Sequence, residues 1–104
     1  MILRKELENA TKWDAAKWGI AHIAENHGFE CNEADCEFDG EFCIFGYNIP
    51  TLCDVYMLCE EVGISKGFIS ANEEGIDVFI DDDWWEKALT EPFKGDCLWA
   101  RYSD

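Results

Sequence analysis

From Trp18 to Ser65 the chain contains no lysine or arginine against ten acids, and from Gly67 to Glu86 there is again none against seven. Lys66 alone separates the two stretches. A field of that sign repels phosphate, so direct binding to nucleic acid or to an anionic membrane is not expected, while basic protein surfaces are drawn in at enhanced rates. Long apolar runs are missing as well. Nothing approaches membrane-spanning length, and in MILRKELENATKW charge begins at Arg4, before the apolar region of a secretion signal can form. The expected location is therefore the cytoplasm. Only 2 prolines occur, without a Pro/Ser-rich linker, internal repeat or low-complexity tract, so the acids belong to folded elements and not to a tail.

The motifs of common chemistries are also absent. The 6 cysteines, at 31, 36, 43, 53, 59 and 97, are separated by 4, 6, 9, 5 and 37 residues and give neither a C-x2-C pair nor a Cys/His knuckle. They are expected to be reduced thiols that pack as small hydrophobes, with no metal and no cofactor. His22 and His27 are five apart and fall on different sides of a helix, unlike a chelating i, i+4 pair, and His27 suits the negative end of a helix dipole. Ser65, Ser70 and Ser103 sit in no nucleophile motif, and no glycine-rich phosphate loop exists. Carboxylate pairs are abundant only because carboxylates are abundant, so the chain is not expected to be an enzyme.

What is present is a foldable core under an extreme charge. With 104 residues, 48% of them hydrophobic, the chain can bury roughly two-thirds of its unfolded surface in a single domain over 1–104. Disorder requires low hydrophobicity together with high charge, and only the charge is extreme. The net charge of −15 exceeds the magnitude of about 2 to 8 that solubility asks of a small domain.

Asn9-Ala10-Thr11 offers an N-cap, and Gly28 follows a proline-free stretch, which predicts a helix over about 10–27. Thr51 with Asp54 resembles a capping box. Leu52, Val55, Tyr56, Cys59 and Val62 then form an apolar stripe that Gly63 stops, which predicts a second helix over 52–62. Asp81–Asp83 can cap a short third helix over WWEKALT that Pro92 ends. Strands are expected at 33–38, 41–46, 67–71, 76–80 and 97–102. The fold class is α+β, an antiparallel sheet of about four or five strands with two main helices and one short helix packed on it.

At Asp39-Gly40 a two-residue turn would mix acids and aromatics on both faces of the hairpin. A three-residue loop with Gly40 in the left-handed region sets Glu37 opposite Glu41 and gathers Ala34, Cys36, Phe42 and Ile44 on one face. Glu33, Asp35, Glu37 and Glu41 then project from the other, about 6.8 Å apart along a strand, close to the spacing of phosphates on one nucleic-acid strand. Glu25, Glu60 and Glu61 fall in the last turns of helices, where the macrodipole disfavours them, so they too favour negative surface over local stability. Trp84 and Trp85, about 100° apart on a helix, leave one ring partly uncovered among Asp81, Asp82, Asp83 and Glu86, as an interface anchor would be.

In size and in the acid blocks ECNEADCEFDGE at 30–41 and DVFIDDDWWE at 77–86, the chain resembles the small acidic inhibitor proteins of phages and mobile elements, the anti-CRISPR and antirestriction proteins that imitate nucleic acid. The resemblance implies a non-catalytic blocker of a basic nuclease or nucleic-acid-binding effector. Its partner-binding residues are then Glu33, Asp35, Glu37, Asp39, Glu41, Asp77, Asp81, Asp82, Asp83, Trp84, Trp85 and Glu86. An immunity protein against a basic nuclease toxin would use the same surface. A thiol-dependent enzyme or a metal-binding regulator is the alternative of another class.

Overall fold

The computed structural model describes residues 9–32 and 40–95. Their elements run α1 (Lys12–Asn26), β1 (Glu30–Cys31), β2 (Glu41–Phe45), α2 (Ile49–Val62), a 3-10 turn at Lys66–Phe68, β3 (Ile69–Asn72), β4 (Gly75–Phe79) and α3 (Asp82–Ala88). The sheet order is β1-β2-β4-β3, with every neighbouring pair antiparallel. The fold is α+β, as expected, with four strands and three helices among the described residues. No described helix is long and apolar enough to cross a membrane.

Helix α1 starts at a reciprocal cap. The Thr11 hydroxyl accepts from Asp14 N at 3.1 Å, and the Asp14 carboxylate accepts from Thr11 N at 3.2 Å, so two otherwise unsatisfied amides are served. Ala15, Ala16, Gly19, Ile20, Ile23 and Ala24 recur at helical spacing and are buried. Their small size lets α2 approach closely: a Cβ on Gly19 would sit 2.7 Å from two Leu58 methyls.

The second helix begins earlier than its sequence signature suggests. Asn48 caps it, its Oδ1 accepting from Thr51 N at 2.8 Å and from the Thr51 hydroxyl at 2.6 Å, and Pro50 occupies the first turn. Thr51 and Asp54 therefore lie inside the helix and form no capping box. Asp54 faces inward instead, 2% exposed, and its Oδ2 is 2.7 Å from His27 Nε2 at the end of α1. His27 thus ties the end of α1 to α2, beyond the dipole contact expected of it. Gly63 ends α2 with φ of 85°, the left-handed value that its sequence position predicts.

Phe42, Ile44, Ile76 and Val78 meet in adjacent cross-strand pairs and close the core beneath Ile20, Ile23, Val55, Leu58 and Val62. The expected burial of Phe42 and Ile44 on one face holds. The expected hairpin register does not: it sets residue 33 opposite Phe45, whereas Glu30 occupies that place and Cys31 pairs with Ile44. The expected strands at 33–38 and 97–102 lie outside the described residues.

Helix α3 ends at Ala88, short of Pro92, and Asp81 stands at its N-cap without a side-chain cap bond. Pro92 instead bridges to Thr11, while Lys12 N donates to Glu91 O at 2.9 Å and Phe93 N donates to Ala10 O at 2.9 Å. The segment after α3 is thereby laid along the start of α1.

Candidate acidic binding face

A strand sends alternate side chains to opposite faces, so a sheet with its core on one side carries a second surface. On that surface Glu30 stands beside Phe45, Cys43 beside Asp77, and Glu41 beside Phe79. Ser70 of β3 flanks Asp77. Phe45 and Phe79 are 59% and 45% exposed, Glu30 is exposed, and Glu41, Cys43 and Asp77 are half-buried. None of the four strands contains a lysine or arginine. Three carboxylates, two phenyl rings and a thiol thus share one face, with successive outward positions about 6.8 Å apart along a strand.

Asn32 stiffens the strand that carries Glu41 and Cys43. Its side-chain amide donates to Glu41 O at 3.0 Å and its Oδ1 accepts from Cys43 N at 3.0 Å, which continues the ladder past the end of β1. The Cys43 thiol is pushed up to about 12 by its burial, by its hydrogen bond to Asp77 and the charge there, and by Glu41. It stays protonated at neutral pH. Cys59 reaches about 12 by burial alone, inside the core. Cys31, Cys43, Cys53 and Cys59 are all free thiols.

The second acidic block has different neighbours. Asp81, Asp82, Asp83 and Glu86 are exposed at and within α3. Asp81 and Asp83 rim a cavity of about 310 Å3 that Lys12 and Lys87 also line, and Lys12 is bound to Glu91 at 2.7 Å. Trp84 and Trp85 are both half-buried, so each ring is partly uncovered. Each packs on Trp13, with ring centroids 6.4 and 6.5 Å away, and Trp13 packs on Phe42 at 5.4 Å. The Trp84 indole N–H donates to Val62 O at 2.8 Å, which ties α3 to the end of α2. These rings hold the helix in place.

Of the predicted binding residues, Glu41 and Asp77 come together on the sheet, and Asp81, Asp82, Asp83, Trp84, Trp85 and Glu86 come together around α3. Glu33, Asp35, Glu37 and Asp39 lie outside the described residues. Sequence reasoning passed over Glu30, Cys43, Phe45 and Phe79. For Cys43, Phe45 and Phe79 the signal was parity: in β2 and β4 the residues flanking buried Phe42, Ile44, Ile76 and Val78 must face outward. Glu25, Glu60 and Glu61 do sit in last helical turns, and those turns hold no basic residue. Compared with protein-family models, curated proteins and solved structures, the chain finds a match in none of the three.

Proposed function

We propose that the protein is a non-catalytic binding protein of the cytoplasm that blocks a basic nucleic-acid-handling protein by offering it a phosphate-like surface. The observation that carries this reading is the outer sheet face, where Glu30, Glu41 and Asp77 stand among exposed Phe45 and Phe79 on strands without a cation. Three carboxylates on one face supply long-range attraction to a lysine- and arginine-rich groove. The rings supply apolar area to bury once the groove is reached. An antiparallel sheet holds both in fixed register, so little ordering cost is left for the moment of binding.

The test is competition. The parent chain, immobilised and exposed to host lysate, should retain a basic nucleic-acid-binding protein, and an excess of nucleic acid should displace it. The variant carrying Glu30→Gln, Glu41→Gln and Asp77→Asn should retain much less. A captured protein that binds the chain and nucleic acid at the same time, each without effect on the other, would contradict the proposal.

A further inference from the structure

The outer sheet face gathers donors of different hardness at one spot. Cys43 and Asp77 are cross-strand partners in β2 and β4, and Glu41 lies two residues from Cys43 on the same face. One ligand atom of each, two carboxylate oxygens and the thiol sulfur, lies within 4.8 Å of the other two. We propose that Glu41, Cys43 and Asp77 form a binding site for a single thiophilic divalent cation of the zinc class.

Crowded carboxylates alone would not indicate a metal, since they are common on a surface of this charge. The sulfur between them changes the chemistry. A tetrahedral zinc with bonds of about 2.0 to 2.3 Å needs donors about 3.3 to 3.8 Å apart, so the three groups must close by at most about 1 to 1.5 Å, a scale that side-chain rotation covers. The backbone is already fixed, by the β2–β4 ladder and by the Asn32 side chain that brackets Glu41 and Cys43. Calcium takes six or more oxygens and magnesium an octahedron of them, whereas thiolate with carboxylate favours zinc, cadmium or cobalt. Binding displaces the Cys43 proton to solvent, and the two carboxylates and the thiolate so formed carry −3, which a divalent ion reduces to −1. All three side chains are half-buried, so a water can complete the coordination from the solvent side.

The site does not depend on the proposed partner, although an ion held there would withdraw two carboxylates from the acidic face. To test it, the reduced full chain is titrated with cobalt(II) and cadmium(II), while thiolate-to-metal charge-transfer absorption is followed and zinc is added in competition. The expected result is one ion per chain. The band is lost in Cys43→Ser, survives in Cys53→Ser, and affinity falls by about tenfold or more in Asp77→Asn with an unchanged circular dichroism spectrum. If Cys43→Ser fails to fold, the near-isosteric Asp77→Asn decides alone. No band at millimolar metal, a band that survives Cys43→Ser, or parent affinity in Asp77→Asn would overturn the proposal.

Discussion

The two acidic blocks are built from the same residue types but stand in opposite relations to their surroundings. Asp81, Asp82 and Asp83 lie at the start of α3, where the helix dipole favours negative charge, and the cavity beside them is lined by Lys12 and Lys87. Glu30, Glu41 and Asp77 project from strands that hold no lysine or arginine, and Asp77 helps keep the neighbouring Cys43 thiol protonated. Local stability accounts for the first block. It gives no reason for the second, and that difference is why the sheet face is the proposed binding surface.

Because the α3 block is held by its rings, removing a ring should have the largest effect. Trp84→Ala deletes a half-buried indole packed on Trp13 and leaves the Val62 carbonyl without its donor. We expect a loss of about 2 to 3 kcal/mol by urea denaturation. A loss below about 0.5 kcal/mol would mean that α3 is not anchored as described.

Charge neutralisation then separates the blocks by sign. Converting Asp81, Asp82 and Asp83 together to Asn should cost about 1 kcal/mol, since a favourable dipole interaction is lost. Converting Glu30 and Glu41 to Gln and Asp77 to Asn should leave stability level or raise it by a few tenths of a kcal/mol, since repulsion is relieved. Melting curves of the two variants at one pH and low salt make the comparison, and shifts of the same sign would erase the distinction.

A smaller effect concerns the thiols. The folded-state values of Cys43 and Cys59 are both raised above the ordinary 9.0, to about 12, so their contribution to stability is complete below pH 9 and is lost as pH rises toward 12. The melting temperature should therefore decline above pH 9. In alkylation at pH 8, exposed Cys53 should react first, and Asp77→Asn should speed the reaction of Cys43 by lowering its value. Equal rates at Cys53 and Cys43 in the parent would contradict the described surroundings of Cys43.

Parity and punctuation were legible in the sequence, and long-range pairing was not. The Phe42/Ile44 alternation, the stripe through Leu52, Val55, Cys59 and Val62, and the stop at Gly63 are local signals, and each appears in the fold, while Tyr56, expected in that stripe, is exposed. Asp54 misled because a capping box and a buried partner look alike in one dimension; His27, which binds it, is 27 residues away. The register of β2 failed for a related reason. The three-residue loop expected at Asp39-Gly40 implies one alignment, but β2 is held between β1 and β4, and those ladders set its register. In the site, Glu41 and Asp77 were visible as acids. Their meeting at Cys43 was not, because it depends on which strand β4 chooses as its neighbour.

The central claim, that the sheet face and not the α3 block engages the basic partner, is tested most directly by association kinetics. The protein captured by the parent chain is mixed by stopped flow with the parent, the sheet-face variant and the α3 variant at low ionic strength. Neutralising Glu30, Glu41 and Asp77 should slow association by about tenfold or more, while neutralising Asp81, Asp82 and Asp83 should slow it by less than about threefold. Equal slowing by both variants, or parent-like association of the sheet-face variant, would contradict that claim.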